Sequence, residues 1–142
     1  MNTSSGATRL KEGGYRMGKG RGAILQVFEE ATKPLNATEI LSLLSSKNVN
    51  LNKTTVYREL EFLKNQHLVR EVPVSSNTVY YESALQGHHH HLVCENCSMI
   101  IEVETNELEE NIKKLSKSVA QNEQFLIGRH ALEFFGTCAN CS

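Results

Sequence analysis

The sequence predicts an α+β protein: an N-terminal winged helix-turn-helix over residues 1–86, then a small α/β half over residues 87–142. Three observations predict it. Apolar residues recur at helical spacing in successive segments between Ile24 and Leu63. Two short β-prone runs joined by Ser75-Ser76-Asn77 follow them, as a wing would. Beyond Gly87 the pattern changes to strand, strand, helix, strand.

In chain order, the first twenty residues are rich in Gly, Ser, Lys and Arg. Residues 1–13 read as a mobile basic arm with at most a short helical turn. Ile24, Val27, Phe28 and Ala31 then fall at i, i+3, i+4, i+7, and Lys33-Pro34 should stop that helix. Asn36, with Glu39 three residues on, is a capping-box start for a second helix carrying Ile40, Leu41, Leu43 and Leu44. After the polar turn Asn48 to Asn50, Asn52 caps a third helix through about Asn65, with Val56, Leu60 and Leu63 as its core stripe. Leu68 to Val74 and Val79 to Glu82 are the wing strands. In the small half, strands are expected at His88–Cys94 and Ile100–Val103. A helix with Leu108, Ile112, Leu115 and Val119 on one face follows, and a last strand from about Phe125 to Phe135. This half is near the lower limit for an independent core and calls for a metal, a partner chain, or both.

Composition narrows the chemistry. Hydrophobic residues are 39% of the 142, enough for a packed core. No apolar run reaches the roughly 18 residues of a membrane span, so no membrane partner is expected. The N-terminus lacks an apolar signal core, and a cytoplasmic protein is the expectation. All sixteen acids are Glu. The lack of Asp excludes schemes built on it, such as kinase loops and EF-hand loops. Net charge is −1 but uneven: +4 over residues 1–72 and −5 over 73–142. A front half that meets a polyanion would carry that bias, as would ordinary solvated surface.

On the third helix Thr54 and Arg58 lie opposite the buried stripe, flanked by Thr55 and Tyr57. Hydroxyls and an arginine near a helix start suit phosphates and base edges. An ordinary amphipathic helix would also show polar residues there. The preceding helix, the following hairpin and the basic arm favour double-stranded DNA.

Every cysteine falls in one of two pairs, Cys94-x-x-Cys97 and Cys138-x-x-Cys141. Two such knuckles make a closed S4 site, the preference of structural zinc. A disulfide framework fits a cytosolic chain poorly, and a redox pair needs no second CxxC. His88-His89-His90-His91 leads into the first knuckle. In an extended strand His88 and His90 face one side and His89 and His91 the other, so one tract can serve two metal sites. For the first pair the partners are Glu109 and His130. Glu109 also reads as a helix cap with Asn106, and His130 as a core residue. For the second pair the nearest acid is Glu82, at the end of the wing.

These features together resemble the ferric uptake regulator (Fur) family, with the zinc uptake regulator (Zur) subgroup nearest. The matching stretches are Gly14-Tyr15-Arg16 with Arg21, then Thr54-Thr55-Val56-Tyr57-Arg58, the run HHHHLVCENC, and HALEFFGTCANC from His130 to Cys141. The resemblance implies a metal-responsive repressor that binds operator DNA as a homodimer, its small half being the dimerisation domain. It implies a structural zinc site at Cys94, Cys97, Cys138 and Cys141. It implies a dimer-domain metal site at His88, His90, Glu109 and His130, and a hinge sensing site at Glu82, His89 and His91. Arg16, Arg21, Thr54, Thr55, Tyr57 and Arg58 are the implied DNA-facing residues. Pro34-Leu35 and Ala84 stand where relatives supply further hinge ligands, and Gly18-Lys19-Gly20 replaces a Thr-Pro-containing turn. His90, where many iron sensors have Asp, favours regulatory Zn2+ over Fe2+. The alternatives are an iron-responsive regulator and, more remotely, a zinc enzyme or a metal-storage protein. The enzyme motifs HExxH and H-x-E with PCxxC are absent.

Overall fold

The computed structural model describes residues 5–74, 77–103 and 106–142. The chain divides into two compact units, Met1–Gly87 and His88–Ser142.

The first unit opens with α1, Gly6–Glu12. This corrects the expectation of a mobile arm for residues 6–12; residues 1–4 lie outside the described residues. The Ser5 side chain caps the helix by accepting from the Thr8 N–H, and Leu10 is only 2% exposed. Leu10 is the one fully buried apolar side chain of the helix, with Ala7 also packed on the core, a signal that composition averages away. Gly6 lets the backbone come close: a Cβ there would meet Leu25 at 3.1 Å. Gly14, at φ +78°, turns the chain out of this helix.

Helix α2 runs Lys19–Glu30 and buries Ile24, Leu25, Val27 and Phe28. It ends ahead of Lys33-Pro34, because Ala31 already adopts an extended ψ. A two-residue strand β1, Leu35–Asn36, leads directly into α3, Ala37–Ser46. Both halves of the Asn36/Glu39 capping box form. Asn48 then takes φ 57°, the left-handed stop to which asparagine is suited. Helix α4 spans Lys53–Asn65, capped by Asn52 on the Thr55 N–H at 2.7 Å. Its stripe Val56, Leu60 and Leu63 is fully buried.

Strands β2, Val69–Pro73, and β3, Val79–Ser83, form the wing. The expected turn residues Ser75 and Ser76 lie outside the described residues. The sheet order is β1-β3-β2, all antiparallel, and Arg70 stands opposite Glu82. Helices and sheet share one apolar core that includes Phe28, Ile40, Leu44, Leu60 and Tyr81. Each fully buried aliphatic side chain contributes about 1.5–3 kcal/mol of apolar burial.

The second unit is a three-stranded sheet with one helix. Strand β4 is His90–Cys94, β5 is Ile100–Val103, α5 is Asn106–Asn122 and β6 is Glu133–Gly136. The order is β5-β4-β6, with β5 antiparallel and β6 parallel to β4. A parallel pair needs a crossover, and α5 supplies it. Two expectations are corrected. The first strand starts at His90 rather than His88. The last strand is four residues, not Phe125–Phe135: Phe125 and Leu126 pair with nothing in the sheet, and Leu126 is 93% exposed. The apolar stripe of α5 is half-buried at Leu108 and Ile112 and exposed at Val119 and at Leu115, which is 64% exposed. No helix among the described residues is long and apolar enough to cross a membrane.

Candidate metal centres and nucleic-acid face

Strand β4 ends at Cys94, and a tight turn brings Cys97 back beside it. The Ser98 N–H donates to the Cys94 carbonyl at 2.8 Å, and Ser98 takes φ 59° to do so. Gly136 lies opposite Cys94 in the parallel β4/β6 pair, so the chain leaving β6 carries Cys138 to the same place. The Cys138 N–H donates to Cys94 Sγ at 3.4 Å, and the Cys97 and Cys138 sulfurs are 3.8 Å apart. All four sulfurs lie within 4.8 Å of one another and none is in a disulfide. A tetrahedron with Zn–S bonds of about 2.3 Å has edges of about 3.8 Å, so the donors fit that ion. Backbone N–H groups, that of Cys138 first, hold the Cys94 thiol down to about 6. The neighbouring thiols of Cys138 and Cys97 push Cys141 up to about 12. A dication is what allows four thiolates to share one small space.

Alternation along the histidine tract divides its side chains as expected. His88, just ahead of β4, and His90, on it, meet Glu109 from the first turn of α5 and His130 from the segment before β6. Three Nε2 atoms surround one carboxylate oxygen, Glu109 Oε1: His90 at 2.5 Å, His88 at 3.1 Å and His130 at 3.4 Å. His88 and His130 approach to 2.9 Å between their Nε2 atoms. The His90 Nδ1–H donates to the Leu132 carbonyl at 3.2 Å, which fixes the ring and leaves Nε2 for the site. The hydrogen bond from His90, and then the charge of His88, hold the Glu109 carboxyl below its usual range. Asn106 is the first residue of α5, and the Glu109 carboxylate is directed to the imidazoles. Three imidazoles and a carboxylate make a borderline-soft, four-donor set.

On the opposite face of β4, the His89 and His91 rings stack edge to face with centroids 4.9 Å apart. Two acids that sequence reasoning missed lie beside them. Glu102 of β5 comes within 3.7 Å of His89 Nδ1, and Glu133 of β6 within 3.8 Å of His91 Nδ1. Both Glu102 and Glu133 stand opposite His91 in the strand register. The only sequence signal was an acid set in each otherwise apolar strand. In the first unit, Glu82 on β3 pairs with Arg70 on β2, another partner that register alone reveals.

The α4 face carries Thr54, Tyr57 and Arg58 in solvent, with Thr55 half-buried. The Lys53 ammonium sits 5.8 Å from the Tyr57 ring. Arg16 is exposed on the loop before α2. Arg21 departs from the expectation of an outward DNA contact. Its Nε donates to Glu59 at 2.8 Å, a terminal nitrogen donates to the Arg16 carbonyl at 2.8 Å, and its plane lies 3.8 Å from the Phe62 ring centroid. The guanidinium is engaged inside the unit.

Comparison with known proteins gives a consistent picture. A model of the ferric uptake regulator family matches residues 12–135. The ferric uptake regulation protein of Synechococcus elongatus is 30% identical over 135 residues, covering 93% of this chain and 89% of its own. The peroxide operon regulator of Bacillus subtilis is 30% identical over 133 residues, covering 94% and 88%. The solved structure of the Helicobacter pylori ferric uptake regulator, a protein with three functional metal-binding sites, superposes with a TM-score of 0.78. It is 27% identical, with coverage of 93% and 85%.

Proposed function

The chain belongs to the ferric uptake regulator family of metal-responsive transcriptional regulators, and from that premise we propose that it is a zinc-responsive repressor, binding double-stranded operator DNA in the cytoplasm as a metal-loaded homodimer. The observation that carries the choice of metal is the convergence of His88, His90 and His130 on Glu109, a set richer in imidazole than iron requires. Zinc, when bound, supplies a dication that four such donors hold tetrahedrally.

Three donor sets then have three tasks. Cys94, Cys97, Cys138 and Cys141 hold a structural ion that ties the end of β6 to the end of β4. His88, His90, Glu109 and His130 brace the small unit. Glu82, His89 and His91 form the sensing site, and Glu102 adds a carboxylate to the histidine pair. Glu82 lies near the end of the first unit in the chain and His89 near the start of the second, so ligation by both would bias the arrangement of the halves. A ligand shifts such an equilibrium only by its differential affinity for the two states. The three functional metal-binding sites of the H. pylori relative support this division.

Dimerisation is supported by the apolar surface of the second unit, where Leu115, Val119, Phe134 and Phe135 are exposed in the single chain. DNA binding is supported by the helix-turn-helix of α3 and α4, whose exposed face is Thr54, Tyr57 and Arg58. An iron-responsive regulator is the second reading, favoured by the naming of the S. elongatus relative as a ferric uptake regulation protein.

The test is operator affinity of metal-stripped protein titrated with Zn2+, Fe2+ and Mn2+ at fixed salt. Zinc should restore binding at the lowest free concentration; restoration by Fe2+ first would reverse the assignment. His89→Ala or Glu82→Ala should give a folded dimer that gains no DNA affinity with zinc. His130→Ala should weaken the dimer yet leave a partial response. The opposite pattern would exchange the sensing and bracing roles.

A further inference from the structure

We propose that Arg21 is a positioning residue for DNA recognition: it locks the Arg16 loop to one rotational setting of α4, so that Arg16 and Arg58 present a single surface. The inference rests on the DNA-binding reading above.

The geometry points this way because every part of the guanidinium is used. Nε and one terminal nitrogen donate to the two oxygens of Glu59, at 2.8 and 3.3 Å. The other terminal nitrogen donates to the backbone carbonyl of Arg16 at 2.8 Å. Its face covers the Phe62 ring, and Tyr15, in the same loop as Arg16, packs edge-on to that ring at 5.3 Å. Arg21 therefore connects three pieces: α2, the loop carrying Arg16, and the side of α4 that carries Glu59 and Phe62. The loop contact is to the Arg16 backbone, and the Arg16 side chain stays exposed.

Glu59 directly follows Arg58, about 100° further round the helix. Holding Glu59 fixes the rotation of α4 about its axis, and with it the direction of Arg58. The starts of α2 and α4 are also in close approach. A Cβ on Gly20 would lie 3.2 Å from Leu51, the residue before the α4 cap. A lysine could keep the charge of Arg21. It could not keep the planar fork, the carbonyl bond and the ring contact together.

The experiment uses zinc-loaded full-length protein and a duplex enriched by the wild type from a random library. Affinity is measured over a salt series for Arg16→Ala, Arg21→Lys and the double variant, with melting temperature and zinc content recorded. Arg21→Lys should lose roughly tenfold in affinity with an unchanged melt, and its salt slope should fall by about one although the charge is retained. That slope change is what losing the Arg16 phosphate contact would produce. The double variant should bind no more weakly than the worse single one. Glu59→Gln, which keeps the fold and removes the anchor, should give a smaller loss with the same change in slope, and it decides the matter if Arg21→Lys melts early. Wild-type affinity in both Arg21→Lys and Glu59→Gln would overturn the proposal. So would additive losses in the double variant, which would mean that Arg21 touches DNA itself. If the wild type enriches no sequence in a zinc-dependent way, the DNA-binding reading falls and the proposal falls with it.

Discussion

The two units are ordered by different physics. The first closes around Phe28, Ile40, Leu44, Leu60 and Leu63, with helices α2 to α4 each contributing an apolar stripe and α1 adding Leu10. The second buries Val93, Cys94 and three histidines, while its large apolar side chains, Leu115, Phe125, Leu126 and Phe135, face solvent. A unit whose interior is made of donors and whose exterior is apolar cannot be stabilised chiefly by its own burial. Ligation by its donors and cover over its apolar face are the two further sources of order open to it. The difference teaches where a signal can enter: the first unit rests on its own apolar core, while the second is built around clustered donors that a metal could hold.

The comparison breaks most severely at the cysteines. Cys94→Ser or Cys138→Ser should abolish the folded dimer, because ligation in such small units is itself folding energy. Wild-type protein should retain about one tightly held zinc per chain after mild chelation, and a stable zinc-free dimer would contradict this. The corresponding injury to the first unit is Leu60→Ala, expected to cost about 2–5 kcal/mol. Denaturant melts should show the first unit destabilised while the chain keeps its zinc.

Leu115→Glu sharpens the contrast at the outer surface. The single chain should retain its helical circular dichroism and zinc content, while sedimentation shows dimer dissociation at concentrations at least roughly tenfold higher. Unchanged dimerisation would remove α5 from the interface.

The smallest effect is electrostatic and lies in the first unit. Lys47 donates to Glu30 at 2.6 Å, and that hydrogen bond holds the Glu30 carboxyl below its usual range. A depressed carboxyl contributes stability above the unfolded value of about 4.3 and loses it as pH falls through the folded value. Lys47→Met should therefore lower the melting temperature slightly at neutral pH and low salt. The difference should fade below that window, and also at about 1 M salt, where the Debye length is about 3 Å.

Much of the first unit was legible because its signals are local. Asn36 and Glu39 announce α3 within four residues, and Asn52 announces α4 in the same way. Helix α1 was hidden because it depends on Leu10 docking against residues distant in the chain. The two cysteine pairs were readable from residue type, and the division of the histidine tract from strand parity. The residues beside them were not: Glu102, Glu133 and Arg70 are brought in by strand register, which no local pattern encodes. The internal partners of Arg21 were hidden for a related reason. An arginine looks the same in sequence whether it faces solvent or is held by Glu59 and Phe62. The last strand was overestimated because a β-prone run needs a neighbour to pair with, and only Glu133–Gly136 has one in β4.

The histidine tract has a consequence for how information is stored in this chain. Sliding β4 by one residue would turn every side chain to the other face. Four identical neighbours are nearly blind to such a slip, since each face would still show histidines. The tract is therefore degenerate: it supplies donors but no address. The address is written after it, in Val93, which must point inward, in Leu92 and Val93 opposite Ile101 and Ile100, and in Cys94, which must reach Cys138. The cysteine knuckle thus acts as punctuation for a word of repeated letters, determining which histidine faces which set of donors.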